Sequence, residues 1–265
     1  MLLKLCTVMF LTLSVVPSLT LAQVAGQVVA VRQSAQIVSG GEARTLAQGS
    51  QVATGDLIRT GGNGQVQIQF ADETKIVVGP NSSLMIDQTL FRANGSARKF
   101  ATSALGGTFR FISGKSPNRI YKVGTPLATM GIRGTVFDYT VTAGQRTDLL
   151  VLDGVVRLCA SGQRCVAVEG GCQAVAVLQD GSFTQPLDAE EKRALLIRRF
   201  PLLADQADLQ PPFRASRDGC AAVTLIPLPG QINRGEPGGQ GKPPVRDNPA
   251  EGPSDPPDGG GNPAE

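Results

Sequence analysis

Apolar and polar residues alternate through much of the chain between Gln23 and about Thr184. In Gln65–Phe70 the alternation holds at every position, which is the period-two pattern of a strand with one buried face. Further apolar runs recur at intervals of about ten residues, with Gly, Asn or Asp between them, as in all-β domains. The other predicted strands are Val24–Val31, Thr74–Val78, Ser83–Ile86, Thr108–Ile112, Ile120–Val123, Thr135–Val141, Leu149–Leu152, Val155–Cys159, Cys165–Val168 and Ala174–Leu178. We expect an all-β domain over residues 23–184, built as a short-stranded sandwich, a jelly roll or a β-solenoid.

One segment has a helical pattern instead. Residues 188–200 read DAEEKRALLIRRF, where Asp188 can cap the helix and Glu191 follows three positions later. We expect a short helix that packs on the sheet; a membrane-binding helix is the alternative. The predicted helix belongs to a C-terminal extension over residues 185–232.

The two ends of the chain differ from this body. Residues 1–22 combine Lys4, an apolar run and a small residue at Ala22, which predicts a secretory signal peptide cleaved after Ala22. An uncleaved anchor is the alternative, and the mature chain is predicted to lack a transmembrane helix. Residues 233–265 are rich in Gly and Pro and contain no aromatic residue, so we expect a disordered tail. The protein is therefore expected to be exported, to the periplasm or the cell surface.

Cysteine usage agrees with export. Four cysteines remain once Cys6 in the signal segment is set aside, and they allow three pairings. Cys159 and Cys165 end and begin two apolar runs joined by a short Gly-containing connection, which predicts a hairpin with opposed sulfurs. Cys172 and Cys220 would then join the C-terminal extension to the domain. A redox or metal-thiolate cluster is the alternative, although the spacing matches no common zinc site.

Composition limits the chemistry. The chain has no histidine, which excludes a Ser-His-Asp or Cys-His relay and an imidazole metal site. The formal net charge is +3, with no run of basic residues interleaved with aromatics, so nucleic acid is not expected as a partner. We expect neither a cofactor nor a metal.

Two blocks of sequence carry a resemblance to a known family. They are GDLIRTGGNGQVQIQFADETKIVVGPNSSL, starting at Gly55, and VGTPLATMGIRGTVFD, from Val123 to Asp138. In this order they resemble the FecR domain, over roughly residues 50–180. The resemblance implies an all-β fold and an interaction role in the periplasm or at the cell surface. Sigma regulators of that family also carry an anti-sigma segment and a transmembrane helix, so this chain looks like a stand-alone secreted FecR-domain protein.

The predicted function follows from these points. We expect a non-enzymatic interaction or signalling module that binds an envelope protein or a cell-wall polymer. The alternative is a carbohydrate-binding or carbohydrate-active β-protein that uses carboxylates at strand ends, since glycoside hydrolysis needs paired carboxylates. The acids at apparent strand ends are Asp56, Asp72, Asp138, Asp148 and Asp153.

Three residues are candidates for binding: Arg59, Arg133 and Asp138. Arg133 could fasten loop carbonyls or Asp138, or it could help to form a cationic cradle for an anionic sugar or a peptide terminus. The motif glycines lack the Lys-Ser/Thr of a phosphate loop, so turns are expected there. The predicted turn residues are Gly55, Asp56, Gly61, Asp72, Gly79, Asn81, Gly131 and Gly134.

Overall fold

A computed structural model describes residues 24–117, 120–161 and 164–221, so the predicted signal peptide and the predicted tail lie outside the described residues. Strands make up about 55% of the described residues and helices about 11%, which confirms the all-β prediction. The strands are β1 (Val24–Arg32), β2 (Ala35–Ser39), β3 (Glu42–Thr45), β4 (Gln51–Ala53), β5 (Leu57–Thr60), β6 (Gln65–Phe70), β7 (Lys75–Val78), β8 (Ser83–Phe91), β9 (Ala97–Ile112), β10 (Tyr121–Gly124), β11 (Ala128–Thr142), β12 (Arg146–Ala160), β13 (Cys165–Glu169), β14 (Gln173–Leu178) and β15 (Phe183–Thr184). The helices are α1 (Ala189–Arg199), α2 (Pro201–Ala204), a 3₁₀ turn (Pro211–Phe213) and α3 (Asp218–Ala221).

The hydrogen bonds arrange these strands in two layers. Sheet A runs in the order β3, β2, β5, β8, first part of β9, β10, first part of β11, last part of β12, β13. Sheet B runs in the order β4, β1, β6, β7, last part of β9, last part of β11, first part of β12, β14, β15. Among the described residues only β9 and β10 pair in parallel, so the pattern is that of an antiparallel sandwich rather than a coil of stacked parallel strands.

Three long strands pass from one sheet into the other. The sequence pattern predicts short strands here, including a break between Leu152 and Val155, but β9, β11 and β12 each continue through their glycines. In β9 the bend is at Gly107, where φ is +104° and a Cβ would lie 2.2 Å from Ser82 Oγ. In β12 it is at Gly154, where a Cβ would lie 2.0 Å from the Gly134 carbonyl oxygen. Glycine thus bends these strands without ending them.

The main core lies between the two sheets. Buried apolar residues from the inner faces of both sheets form one contiguous cluster. Aromatic rings join the layers: Phe70 of sheet B meets Phe100 of sheet A edge-on, with ring centroids 4.8 Å apart, and Tyr121 lies 5.8 Å from Phe111. Alternation along each strand places the remaining side chains on the two outer faces.

Residues 188–220, which we call the C-terminal segment, cover most of the outer face of sheet B and leave Gln27, Gln51 and Gln69 at its β4 edge exposed. Phe200 and Leu203 pack on Leu150 and Ala174, and a second group of Leu202, Leu209 and Phe213 packs on Val77. The C-terminal segment also packs over β6, so the prediction that this strand is half-buried is wrong. Gln67 on its polar face is 2% exposed, because its side chain donates to the Asp208 carbonyl and accepts from Gln210 N–H.

The helix and disulfide predictions are confirmed. Asp188 caps α1 by accepting from Glu191 N–H at 2.8 Å, and α1 precedes the buried residues that pack on sheet B. Cys159 bonds to Cys165 across the β12–β13 hairpin, and Cys172 bonds to Cys220 at the end of the C-terminal segment. None of the helices between residues 24 and 221 combines the length and apolar character needed to cross a membrane.

The two tyrosines of the chain make a matched test of buried hydroxyls. Tyr139 Oη is buried with no hydrogen-bond partner among the described residues, whereas Tyr121 Oη donates to Asp72 at 2.7 Å. We expect Tyr139→Phe to raise the free energy of unfolding by about 1 kcal/mol and Tyr121→Phe to lower it by about 1–3 kcal/mol. Urea denaturation of the two variants measures both changes; the same sign for both would contradict this account.

Candidate functional site

Two of the acids at strand ends, Asp56 and Asp72, are held in place by hydrogen bonds. Asp56 is 5% exposed and accepts from Ala53 N–H and from Ser39 Oγ. Asp72 is fully buried and accepts from Thr74 N–H, Ser116 Oγ and Tyr121 Oη. Both acids therefore fasten connections between strands, as polar residues in turns commonly do.

Asp138 has a different role from the predicted one. It lies on β11 facing the C-terminal segment, is fully buried, and accepts from Arg110 Nε at 2.6 Å and Arg110 Nη2 at 2.8 Å. Burial raises the pKa of Asp138, and the hydrogen bonds and charge of Arg110 oppose that rise. The expected contact with Arg133 is not formed, because Arg133 is on the exposed face of sheet A and Asp138 on the covered face of sheet B. Asp138 is thus withdrawn from any ligand surface.

Arg110 is a residue that the sequence analysis missed. Its remaining donors reach the C-terminal segment: Nη1 donates to Gln206 Oε1 and to the Phe213 carbonyl, and Nη2 donates to the Leu202 carbonyl. All five guanidinium N–H groups thereby have acceptors. Asp148 holds the same segment from β12, since it accepts from Arg199 Nε at 2.9 Å and Nη2 at 2.6 Å. These ionic contacts hold the C-terminal segment against the outer face of sheet B.

The outer face of sheet A is the opposite case. Its cations are exposed and come from five strands of sheet A: Arg59 on β5, Lys99 on β9, Lys122 on β10, Arg133 on β11 and Arg157 on β12. None of them makes an ion pair or a side-chain hydrogen bond within the described residues. The acids on the same face are Asp87, which accepts from Ser103 Oγ, and Glu169. This face is therefore an open, positively charged surface.

Strand register brings three of these cations together. Lys122 on β10 pairs with Gly131 on β11, and Gly131 pairs with Arg157 on β12. Arg133 follows two residues after Gly131, so it points to the same side of the sheet. We call Lys122, Arg133 and Arg157 the basic cluster. The other predicted binding residue, Arg59, lies on the same face but four strands away from Arg133, so the two do not form one site.

The predicted turn residues divide into two groups. Gly55, Gly61, Gly79 and Asn81 lie in connections between strands, and Asn81 has a φ of +49°. Gly131 and Gly134 instead lie inside β11, so no turn is formed there. Gly134 marks the bulge at which β11 changes sheets, whereas Gly131 is in a regular stretch with strand partners on both sides. A single sequence could not distinguish these cases, because glycine suits turns, bulges and open strand positions alike.

The other candidate sites have fewer groups that could bind a ligand or a metal ion. A depression of about 570 Å³ lies along β1 and β6, but Glu73 is the charged residue in its lining, and Glu73 pairs with Lys115. Within the described ranges no three Cys, Asp or Glu residues are grouped so that they could hold a metal ion. The basic cluster can bind anions, because arginine donates two parallel N–H groups to phosphate or carboxylate and lysine adds a point charge.

Comparison with known proteins identifies part of the chain. Residues 56–157 match the family model described as FecR protein, which confirms the resemblance for the region from Asp56 to Arg157. No curated protein matches the sequence. The match contains the second sequence block and all three residues of the basic cluster.

Solved structures give partial likenesses. A structure described as a cell surface anchoring domain is 32% identical over 23% of this chain and 82% of its own, with a TM-score of 0.23. Two crystal structures of a candidate anti-sigma factor from Parabacteroides distasonis are each 12% identical with a TM-score of 0.40. They align with 49% and 54% of this chain, which spans 58% and 64% of theirs, less than two thirds in each case.

Proposed function

We propose that this FecR-domain protein is a non-catalytic binding module of the cell envelope, and that its partner docks on the outer face of sheet A. The observation that carries the proposal is the difference between the two outer faces. The C-terminal segment covers sheet B through Arg110, Gln67 and Asp148, whereas sheet A presents unpaired cations and no described element covers it. A surface that the fold leaves open and charged is available for a partner of opposite charge.

The disulfides support a location in the envelope. Cys159–Cys165 and Cys172–Cys220 use all four cysteines outside the predicted signal segment. Such bonds persist in the periplasm and outside the cell, where the surroundings are oxidising. The predicted signal peptide would deliver the chain there.

Structural use of the carboxylates supports a non-catalytic role. Asp56, Asp72, Asp138 and Asp148 are each buried and hydrogen-bonded to groups that hold connections or the C-terminal segment in place. An acid used in this way is unavailable to protonate a substrate or to attack it. Proteins of the FecR family are regulatory rather than enzymatic, in keeping with this interpretation.

Most of the residues on which the carbohydrate alternative depends are buried. Sugar sites commonly use exposed aromatic rings, but Tyr121 is 2% exposed and Tyr139 is fully buried. Four of the five acids considered for glycoside hydrolysis, Asp56, Asp72, Asp138 and Asp148, are buried as already described, and Asp153 is exposed, so no exposed pair remains among them. A charged partner therefore fits the described surface better than a neutral sugar.

Photo-crosslinking tests the docking face. A photoreactive amino acid at Thr129, exposed on the outer face of sheet A, is expected to give a discrete adduct in an envelope fraction, identified by mass spectrometry. The same residue at Arg193, exposed on α1, serves as the matched control and is expected to give none. Adducts at both positions alike, or at Arg193 alone, would contradict the assignment of this face.

A further inference from the structure

Gly131 occupies a position at which the fold does not require glycine. It lies in a regular part of β11, with continuous register to Lys122 on one side and Arg157 on the other. Its φ is outside the left-handed region, and a Cβ there would meet only Arg157 Cβ, at an ordinary contact distance of 3.9 Å. Glycine inside a strand weakens it, and where no bulge or bend explains it, it marks a place where another group approaches the backbone closely.

The surroundings of Gly131 indicate what approaches. Lys122 and Arg157 flank it on the two neighbouring strands, so their Cα atoms are roughly 10 Å apart, two strand spacings. Arg133 is about 7 Å further along β11. Without a side chain at Gly131, the backbone forms the floor of a gap whose rim is the basic cluster.

We propose that this gap is a binding site for an anionic polymer whose repeat units carry phosphate or carboxylate groups, seated over Gly131 between Lys122 and Arg157. The inference rests on the proposed function and names the chemistry of its partner. Arginine forks match both phosphate and carboxylate.

A polymer fits this surface better than a single anion does. One ion held by exposed side chains in water gains little, because solvent and salt screen the attraction. A chain of anions can also reach Lys99 and Arg59, which lie on the same face beyond the basic cluster. Linking several weak contacts in one ligand raises the overall affinity of that ligand.

The test places a charge in the gap itself. Gly131→Glu puts a carboxylate between Lys122 and Arg157, and Gly131→Gln is the matched control of nearly equal size without the charge. Polyphosphate and polygalacturonate are the two probes, measured by calorimetry at fixed salt, and they distinguish phosphate from carboxylate recognition. We expect Gly131→Glu to bind the preferred probe at least about tenfold more weakly, with Gly131→Gln much closer to the unaltered protein.

Further variants keep the result interpretable. Arg157→Ala is expected to weaken binding, and Arg193→Ala, which removes an exposed cation on α1, is expected to leave it unchanged. Cooperative thermal unfolding of each variant, at a temperature no lower than a few degrees below that of the unaltered protein, shows that the fold is retained. Equal affinity of Gly131→Glu and the unaltered protein would overturn the proposal. Tighter binding to duplex DNA or to vesicles of anionic phospholipid than to either probe would overturn it as well.

Failure of this inference can be distinguished from failure of the proposed function. If neither probe binds but the Thr129 adduct still forms, the partner docks on sheet A and is not an anionic polymer of this kind. If the adduct is absent as well, the docking face itself is wrong.

Discussion

Replacing Arg110 by Met is expected to lower the free energy of unfolding by about 3–5 kcal/mol. The substitution leaves the Asp138 carboxylate buried without its counter-charge, and it removes the donors to the Leu202 and Phe213 carbonyls. Because those carbonyls belong to the C-terminal segment, we expect this segment to open first. Urea denaturation measures the loss of stability, and limited trypsin digestion measures the opening through cleavage within residues 188–220.

Arg32→Met is the matched control. Arg32 also bonds to the C-terminal segment, through Asp208, but both side chains of that pair are about half exposed. An exposed ion pair contributes at most about 1 kcal/mol, so this variant is expected to remain close to the unaltered protein. Equal losses for the two variants would contradict the central role given to Arg110.

A double variant tests whether the loss of stability comes from the unpaired Asp138 carboxylate or from the loss of the ion pair itself. Arg110→Met with Asp138→Leu removes both charges, and we expect it to recover much of the stability that the single variant loses. The recovery would show that the cost arises from an uncompensated buried carboxylate. A double variant that is less stable than Arg110→Met would argue against this cause.

The second large effect is expected from the Cys172–Cys220 disulfide. This bond joins residues 48 positions apart, whereas Cys159–Cys165 joins residues 6 apart. Loop closure in the unfolded chain then gives stabilisations of about 4 and about 2 kcal/mol respectively. We expect Cys172→Ala/Cys220→Ala to be the more destabilised of the two double variants.

The Cys159→Ala/Cys165→Ala variant is the natural control, since it removes a disulfide of the same domain that does not reach the C-terminal segment. Urea denaturation under non-reducing conditions compares the two. A larger loss for the control would contradict the loop-closure account.

Local sequence signals predicted the features that depend on near neighbours. The alternation in Gln65–Phe70 gave the bounds of β6, the Asp188 and Glu191 pattern gave the start of α1, and the short connection between Cys159 and Cys165 gave the hairpin disulfide. The same signals divided β12 at Gly154, because a single sequence does not show whether a glycine ends a strand or bends it. Strands β2 to β5 were missed, since each has five residues or fewer and so gives too short a pattern to recognise.

For the candidate site, the sequence drew attention to Arg133 but assigned it the wrong neighbour. Lys122 and Arg157 are 35 positions apart and meet only because β10 and β12 pair with the two edges of β11. Arg110 gave no signal, because a charged residue in an alternating strand is normally taken to face solvent. Its burial depends on a segment that lies about 90 residues further along the chain.

By itself the sequence determined the fold class, the helix, the disulfide pairs and the resemblance to the FecR family. The signals behind them, which are periodicity, capping and the order of motifs, depend on residues that are close together in the sequence. Only the tertiary structure decided which outer face is covered and which is open. That outcome depends on strand register and on the packing of a distant segment: buried contacts withdraw Asp138 from the surface, and cross-strand pairing assembles the basic cluster around Gly131.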